Sequence, residues 1–255
     1  MDISDQDVDR FRERGYCVRP GFFNPTEVGR MSDWLDALQS TPPREGAEAR
    51  YYEQSPLTGE GILVRVEHIL GDHNPGLTEL MLAPKVLDAL TVLLGDAPVL
   101  FKEKVNYKLP GCRSDKLHQD QAAGWNAYGD FFVTMAIVVD ANRRDNAALS
   151  FLATGAYERK LMGPEWQPLT DADPPYEPVA DYEVIEAEPG DVVFFDSYVP
   201  HGSPPNTSNR PRRNIYLTFN RRSAGDQRMR YYHDKWQSYP PNSPGQVRGI
   251  GSYRV

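Results

Sequence analysis

The 255-residue sequence predicts a mainly β fold, a sandwich or barrel with flanking helices packed against its outside. Two observations lead to this prediction. From residue 99 onward, short aromatic and β-branched segments alternate with turn signals such as Leu109-Pro110-Gly111 and Glu188-Pro189-Gly190-Asp191. Before residue 99, the chain instead carries helix caps and apolar residues at helical spacing. With 40% hydrophobic residues the chain can bury a substantial core, and we expect a single domain over residues 1–255.

The N-terminal part, residues 1–98, is expected to be mainly helical. Ser4 can cap a short helix that Gly15 ends. Asn24-Pro25-Thr26-Glu27 combines a capping residue, a proline at the first helical position and a capping-box glutamate, which indicates a second helix. A further helix is predicted from about Pro84 to Leu94.

Residues 40–62 are predicted to form one long loop, because they contain several prolines and glycines. Loops of this length are either functional lids or simply mobile, and both interpretations stay open. The expected β-rich core spans residues 99–222, and the tail of residues 223–255 is expected to be a helix followed by proline-broken coil. Six strands are predicted in or near the core: Val99–Lys108, Phe131–Asp140, Ala147–Leu152, Tyr182–Ala187, Val192–Phe195 and Asn214–Asn220.

The charge balance and the cysteine count disfavour several classes of protein. The formal net charge is −8 and the sequence pI is near 5.2, whereas binding to nucleic acid or to an anionic membrane surface requires a clustered basic surface. Cys17 and Cys112 are the only cysteines, so neither a disulfide framework nor a thiolate zinc site is predicted. There is no leader-like start and no long apolar run. We therefore expect a cytoplasmic protein that binds a small molecule, with the oligomeric state left open.

His118-Gln119-Asp120 and His201 indicate a metal site. In an extended segment residues i and i+2 face the same side, so His118 and Asp120 can hold one ion. His201 follows a strand-forming run that would bring it to the same place. Two imidazoles and one carboxylate with open positions are the ligand set of non-haem Fe(II) oxygenases. A surface hydrogen-bonded pair and a zinc hydrolase with the same ligands stay open at this point.

Arg212 lies eleven residues after His201. A 2-oxo acid that chelates iron has a distal carboxylate that needs a fixed partner, and arginine binds carboxylates bidentately and keeps its charge. Arg212 is therefore the candidate anchor of such a cosubstrate. A zinc hydrolase would leave this arginine without an evident role.

Several motifs occur together in this sequence: the run from Lys104 to Gly111, His118-Gln119-Asp120-Gln121, Gly190-Asp191 before Phe194-Phe195-Asp196, His201-Gly202-Ser203 with Asn206, and Arg212. From roughly Phe11 to the C terminus the chain resembles the phytanoyl-CoA dioxygenase family of Fe(II)- and 2-oxoglutarate-dependent oxygenases, and in particular its small bacterial members. The resemblance implies a double-stranded β-helix, the cupin-type jelly roll, flanked by helices.

The resemblance also implies cofactors and their ligands. Fe(II) is expected on His118, Asp120 and His201, which would be the catalytic residues, and 2-oxoglutarate on Arg212. Three further residues are expected to bind 2-oxoglutarate: Lys104, Thr134 and Ser203. O2 would be the other cosubstrate, with ascorbate as the reductant in vitro. Asp120 fills the position that halide takes in related halogenases, so hydroxylation is predicted, with desaturation and ring rearrangement left open.

Four residues are expected to contact the substrate: Gln121, Trp125, Tyr128 and Tyr107. Trp125 follows Asp120 closely enough that, at ~3.3 Å per extended residue, the two lie within about 17 Å of each other. Its indole would provide an apolar wall and a face that attracts an amine or ammonium group. Core packing explains the aromatic residues equally well.

The segment from Gln121 to Tyr128 resembles that of family members that hydroxylate aminoalkylphosphonates or tailor natural products. Asp145-Asn146-Ala147 departs from the family's acidic-Asn-Gly turn, and Gly155-Ala156-Tyr157 departs from its Gly-Ser-His; both are expected near the substrate mouth. We therefore predict hydroxylation of an unactivated C–H bond of a small polar metabolite, with natural-product tailoring ranked slightly above aminoalkylphosphonate hydroxylation. A non-catalytic, cupin-like binding module is the alternative from another class.

Overall fold

The computed structural model describes residues 3–42, 44, 47–153, 157–161, 182–243 and 245. The strands in this part of the chain are β1 (Tyr16–Arg19), β2 (Ala49–Gln54), β3 (Gly61–Glu67), β4 (Pro98–Lys108), β5 (Asp115–His118), β6 (Phe132–Val138), β7 (Ser150–Leu152), β8 (Tyr182–Val184), β9 (Val192–Asp196), β10 (His201–Ser203) and β11 (Arg212–Arg221). The helices are α1 (Asp5–Arg14), α2 (Pro25–Ser40), α3 (Pro75–Met81), α4 (Pro84–Leu94) and α5 (Arg228–Ser238).

The strands form two antiparallel sheets whose inner faces pack together. The larger sheet has the order β1-β9-β6-β11-β4-β3-β2, and the smaller sheet has the order β5-β10-β7-β8. Phe151 of the smaller sheet packs against Phe195 of the larger one with ring centroids 5.3 Å apart, inside a hydrophobic cluster that joins the two sheets. The mainly β sandwich expected from the sequence is therefore present.

The predicted helix signals mark real helix ends. Ser4 forms a capping box with Asp7 at the start of α1, and Gly15 ends that helix with a φ of 77°. Asn24 and Glu27 form the capping box of α2. These hydrogen bonds occupy backbone N–H groups that would otherwise have no partner in the first turn of each helix.

The prediction of one long loop over residues 40–62 was wrong. Residues 49–54 form β2, and β3 begins at Gly61. The two strands pair as a hairpin, and β3 also pairs with β4, which places the hairpin at the edge of the larger sheet. The prolines and glycines of this segment lie outside β2 and, apart from Gly61, outside β3. The short elements β1, β5, β10 and α3 were also not predicted.

Strand β4 separates the hydrophobic core from a polar interior. Val105 and Tyr107 pack with Leu35 of α2 in the core that lies between the larger sheet and the helices. Because successive side chains of a strand point to opposite faces, alternate residues of β4 face the interior of the roll. Four such residues line one cavity: Lys102, Lys104, Asn106 and Lys108. Within the described ranges, no helix is long and apolar enough to span a bilayer.

Candidate active site

The three predicted metal ligands lie together between β5 and β10. His118 ends β5 and pairs directly with His201 at the start of β10, and their ring centroids are 4.3 Å apart. Asp120 begins the first of the two short 3-10 turns that follow β5, and its Oδ1 lies 3.8 Å from His118 Nε2. One ligand atom from each of the three residues can be chosen so that all lie within 4.8 Å of one another. This spacing can hold one metal ion.

Backbone carbonyls fix the orientation of both imidazoles. His118 Nδ1 lies 2.7 Å from the carbonyl oxygen of Lys116, and His201 Nδ1 lies 3.0 Å from that of Val199. When Nδ1 carries the donated proton, Nε2 keeps its lone pair for a metal. Burial, reinforced by the neighbouring His118, lowers the pKa of His201 to about 4, which keeps this ring neutral at pH 7.

Asp120 is the anionic ligand of the trio. Burial alone would raise its pKa, but the electrostatic influence of the neighbouring His201 ring and of the Lys104 ammonium outweighs that effect, and the pKa falls to about 2. Gln119, between the two ligands, faces away from them, and its Nε2 donates to the carbonyl oxygens of Tyr198 and Lys160 at 2.6 and 2.8 Å. Two imidazoles and one carboxylate therefore fit a divalent iron ion.

Arg212 is fully buried at the start of β11. Its Nη1 lies 3.3 Å from Tyr216 Oη and its Nη2 lies 3.5 Å from Ser203 Oγ, while its Nε has no hydrogen-bond partner in the described structure. Among the residues that the structure describes, it makes no ion pair. A buried guanidinium without a carboxylate partner is costly, so it fits a site that receives an anion such as the distal carboxylate of 2-oxoglutarate.

Ser203 connects Arg212 to a second polar group. Its Oγ donates to Asp115 Oδ2 and accepts from Lys108 Nζ, both at 3.0 Å. Although burial opposes it, the charges of Lys108 and Arg113 hold the pKa of Asp115 well below its usual range. The structure therefore brings the predicted cosubstrate residues Ser203 and Arg212 together.

The trio opens onto an interior cavity of about 200 Å³. It is lined by His118, Asp120 and His201, by the inward-facing residues of β4, and by Trp125 and Tyr216. Lys104, which is expected to bind 2-oxoglutarate, lies on this wall, with its Nζ 5.0 Å from the centroid of the Tyr216 ring. Thr134 does not line the cavity: it is buried, and its hydroxyl is hydrogen-bonded to that of Thr218 at 2.9 Å. The expectation that Thr134 binds 2-oxoglutarate is not supported.

Three of the four predicted substrate residues make side-chain hydrogen bonds within the protein. Gln121 is buried, and its amide bonds to Asn126, Gly129 and Ser197. The Tyr128 hydroxyl donates to Asp234 Oδ2 at 2.7 Å, outside the cavity. Tyr107 borders the cavity, but its hydroxyl donates to the carbonyl oxygen of Leu35 on the core side of β4. The polar groups of these side chains are already satisfied by the protein.

Trp125 does line the cavity, but its ring already faces a cation. The Nζ of Lys102 lies 5.0 Å from the indole centroid. An ammonium group of the substrate would therefore meet a like charge there, which corrects the expectation that this ring attracts an amine. Lys102 was not predicted as a site residue, although its period-two spacing with Lys104 on a strand was a usable signal.

Asp145-Asn146-Ala147, the first of the two segments that depart from the family motifs, does not line this cavity. Asp145 forms an exposed ion pair with Arg210, and Ala147 adopts a φ of 74° where the family's turn has glycine. None of residues 145–147 lines the described cavity. Gly155 and Ala156 lie outside the described residues, and Tyr157 packs beside the cluster that joins the two sheets.

A His-Asp-His trio inside an antiparallel roll, beside a buried and unpaired arginine, is typical of a non-haem iron oxygenase. Residues 11–214 match the family model described as phytanoyl-CoA dioxygenase (PhyH). The chain therefore belongs to the phytanoyl-CoA dioxygenase family. The resemblance noted in the sequence is confirmed, as is the expectation of a dioxygenase-type enzyme, whereas a non-catalytic binding module is not supported.

Two relatives and one solved structure are similar to this chain over most of its length. It is 34% identical to a 2-aminoethylphosphonate dioxygenase from the uncultured bacterium HF130_AEPn_1, over 92% of this chain and 88% of that protein. It is also 34% identical to a methylphosphonate hydroxylase from Gimesia maris, over 93% of this chain and 88% of that protein. The structure of EctD from S. alaskensis with 2-oxoglutarate and 5-hydroxyectoine has a TM-score of 0.67 at 20% identity, covering 87% of this chain and 77% of that chain. This last likeness confirms the cupin-type jelly roll.

Proposed function

We propose that this protein is an Fe(II)- and 2-oxoglutarate-dependent hydroxylase that acts on a C–H bond of a small polar metabolite. The observation that carries the proposal is the trio of His118, Asp120 and His201, with ligand atoms within 4.8 Å of one another, in the same interior as the unpaired Arg212. Family membership supports the reaction class. The cavity of about 200 Å³ supports a small substrate, because pockets for drug-sized ligands measure about 300–1,000 Å³.

The residues of the site have distinct roles in this proposal. Iron and 2-oxoglutarate, when bound, supply the oxidising chemistry with O2. His118, Asp120 and His201 hold the metal on one side and leave its other side open toward the cavity. Arg212 fixes the distal carboxylate of 2-oxoglutarate. The aromatic wall around Trp125 excludes water from the site.

Succinate release tests the reaction class. Protein reconstituted with Fe(II) and ascorbate should convert 2-oxoglutarate to succinate, and a true substrate should raise that rate and gain 16 mass units. The matched control is His201→Ala, which lacks one proposed metal ligand. Absence of 2-oxoglutarate turnover by the wild-type protein across a broad substrate panel would contradict the proposal.

Two substrate roles follow from the sequence, natural-product tailoring and aminoalkylphosphonate hydroxylation. The second is favoured by a specific observation, because the two relatives at 34% identity are named for 2-aminoethylphosphonate and methylphosphonate. The test is to assay 2-aminoethylphosphonate, its N-methylated analogues and methylphosphonate for substrate-dependent succinate. Efficient turnover of one of them assigns the second role, and turnover of none of them argues against it.

A further inference from the structure

Lys102 is a buried lysine that neither the metal site nor the Arg212 cluster uses. Its side chain comes from the middle of β4, and the residue is 3% exposed. Its Nζ lies over the rings of Trp125 and Tyr231, at 5.0 and 5.3 Å from their centroids. In the described part of the chain, this ammonium makes no ion pair and no hydrogen bond.

Other buried lysines show how unusual this arrangement is. Lys108 bonds to Asp115 and Ser203, and Lys235 pairs with Glu67. A lysine ammonium has three N–H donors, and burying it without an acceptor is costly. The aromatic faces offset only part of that cost. Consistent with this imbalance, burial lowers the pKa of Lys102 to about 8.

Nearby carboxylates do not compensate for this charge. Glu67 is held by Lys235 and Arg65. Asp120 is the proposed anionic ligand of the metal, and Lys104 adds a second cation two residues along the same face of β4. The region around Lys102 therefore has a positive excess that an incoming anion would neutralise.

The position of Lys102 distinguishes it from the cosubstrate site. Arg212 is paired with Lys108 at one end of β4, and Lys102 lies six residues away along the strand. At ~3.3 Å per residue this separates their Cα atoms by about 20 Å. The five carbons of 2-oxoglutarate span well under half that distance. Lys102 and Arg212 therefore lie toward different ends of β4, so Lys102 is separate along the strand from the expected anchor of the cosubstrate.

Two more features of the cavity indicate the charge of that molecule. Trp125 is one of the lining residues, and its Nε1–H is buried without an acceptor in the described structure, so a ligand that reached it would satisfy a second donor near Lys102. The other acidic residues of the described lining are Glu53 and Asp115, and both are already paired, Glu53 with Arg113 and Asp115 with Lys108. The lining thus has free donors for an oxyanion but no free carboxylate for an ammonium group.

We propose that Lys102, together with the indole N–H of Trp125, binds the oxyanionic head group of the substrate, and that this head group is a phosphonate. The inference rests on the proposed hydroxylase function and identifies the part of the cavity that selects its substrate. In this proposal the protein recognises the substrate by the negative charge of its head group, and binding does not require an amine on the substrate.

Binding measurements on the anaerobic protein loaded with Fe(II) and 2-oxoglutarate test this proposal. The probes are ethylphosphonate, 2-aminoethylphosphonate, 3-aminopropanoate and 2-aminoethanol. The wild type should bind both phosphonates with similar affinity, more tightly than the carboxylate and much more tightly than the amino alcohol. Lys102→Met should weaken binding of both phosphonates at least tenfold, the loss expected for a hydrogen bond to a charged group. Lys102→Arg should restore affinity to within a few-fold of the wild type.

Lys85→Met is the matched control, because Lys85 lies on α4 and pairs with Glu27 outside the cavity. This variant should keep the phosphonate affinity of the wild type. If Lys102→Met does not fold, Lys102→Gln provides the same loss of charge with a polar head, and its phosphonate affinity should fall by the same factor.

Three results would overturn the inference. Unchanged phosphonate affinity in the folded Met or Gln variant would remove Lys102 from the substrate site. An equal loss of 2-oxoglutarate affinity in that variant would assign Lys102 to the cosubstrate instead. Tighter binding of 3-aminopropanoate than of 2-aminoethylphosphonate by the wild type would refute the phosphonate assignment. Failure of the proposed function itself is separately visible, because the wild-type protein would then not bind 2-oxoglutarate in a direct titration.

Discussion

Replacing Arg212 by lysine should weaken 2-oxoglutarate binding without unfolding the protein. Lysine keeps the positive charge but loses the planar fork that can bind both oxygens of a carboxylate. The lost charge-assisted hydrogen bonding corresponds to about 1.5–3 kcal/mol. At about 1.4 kcal/mol per tenfold change, the Kd for 2-oxoglutarate should rise roughly 10- to 150-fold.

The same change can be followed through protein stability, independently of turnover. A ligand present at 100 times its Kd stabilises the folded protein by about 2.7 kcal/mol. If the Kd rises 10- to 150-fold at that ligand concentration, the stabilisation falls to between about 1.4 and about 0.3 kcal/mol. For a protein of this size, about 1 kcal/mol shifts the Tm by roughly 2–4 °C. Thermal unfolding of the anaerobic Fe(II)-loaded proteins, with and without 2-oxoglutarate, therefore distinguishes the wild type from the Arg212→Lys variant.

The two neighbouring arginines provide controls for this prediction. Arg210 is exposed and pairs with Asp145, and Arg213 bonds to Asp140. Arg210→Ala should leave both the Kd and the ligand-induced Tm shift unchanged. If Arg210→Ala weakens 2-oxoglutarate binding while Arg212→Lys does not, the assignment of the anchor is wrong by two residues.

Three further predictions concern the metal, the reaction and the fold. His118→Ala, Asp120→Ala and His201→Ala should each abolish turnover and reduce bound iron measured by elemental analysis; a variant with near-wild-type rate and iron content would exclude that residue as a ligand. In chloride buffer the wild type should give a hydroxylated product and no chlorinated one by mass spectrometry, because Asp120 fills the halide position; a chlorinated product would refute the hydroxylase assignment. Gly190→Ala should destabilise the protein by about 3 kcal/mol or more in denaturant unfolding, because its φ is 95° and an added Cβ would lie 2.3 Å from the carbonyl oxygen of Phe23. Gly21→Ala, with a φ of 60° and open space around it, should cost only about 1 kcal/mol, and equal losses in the two variants would contradict the steric argument.

The three candidate metal ligands could be predicted from the sequence because the pattern that indicates them is local. A His-x-Asp pair in an extended segment presents both side chains to one side whatever surrounds it. Predicting the second histidine, His201, required one assumption: that the strand-forming segment before it brings it close to the His-x-Asp pair. In the structure His201 pairs with His118 across β5 and β10, so that assumption was sufficient.

The cavity wall could not be predicted in the same way, because a side chain's role depends on the partners that the fold brings to it. Gln121 and Tyr128 follow Asp120 closely in the chain, yet Ser197 and Asp234 satisfy their polar groups. Those partners lie 76 and 106 residues away in sequence. Nothing near Gln121 or Tyr128 in the chain indicates that such partners exist.

Lys102 shows the opposite case. Its place on one face of β4 with Lys104 follows from the two-residue period of a strand and could have been derived from the sequence. Its lack of an acid partner could not, because every acidic residue of a chain with net charge −8 was available to it in principle. The class of the fold, the helix caps and the three candidate metal ligands could be predicted from the sequence, since they depend on local conformation and residue chemistry. Which buried polar groups the protein satisfies, and which remain for a ligand, is visible only in the folded structure, because hydrogen bonds and ion pairs form between side chains that are distant in sequence and close in space.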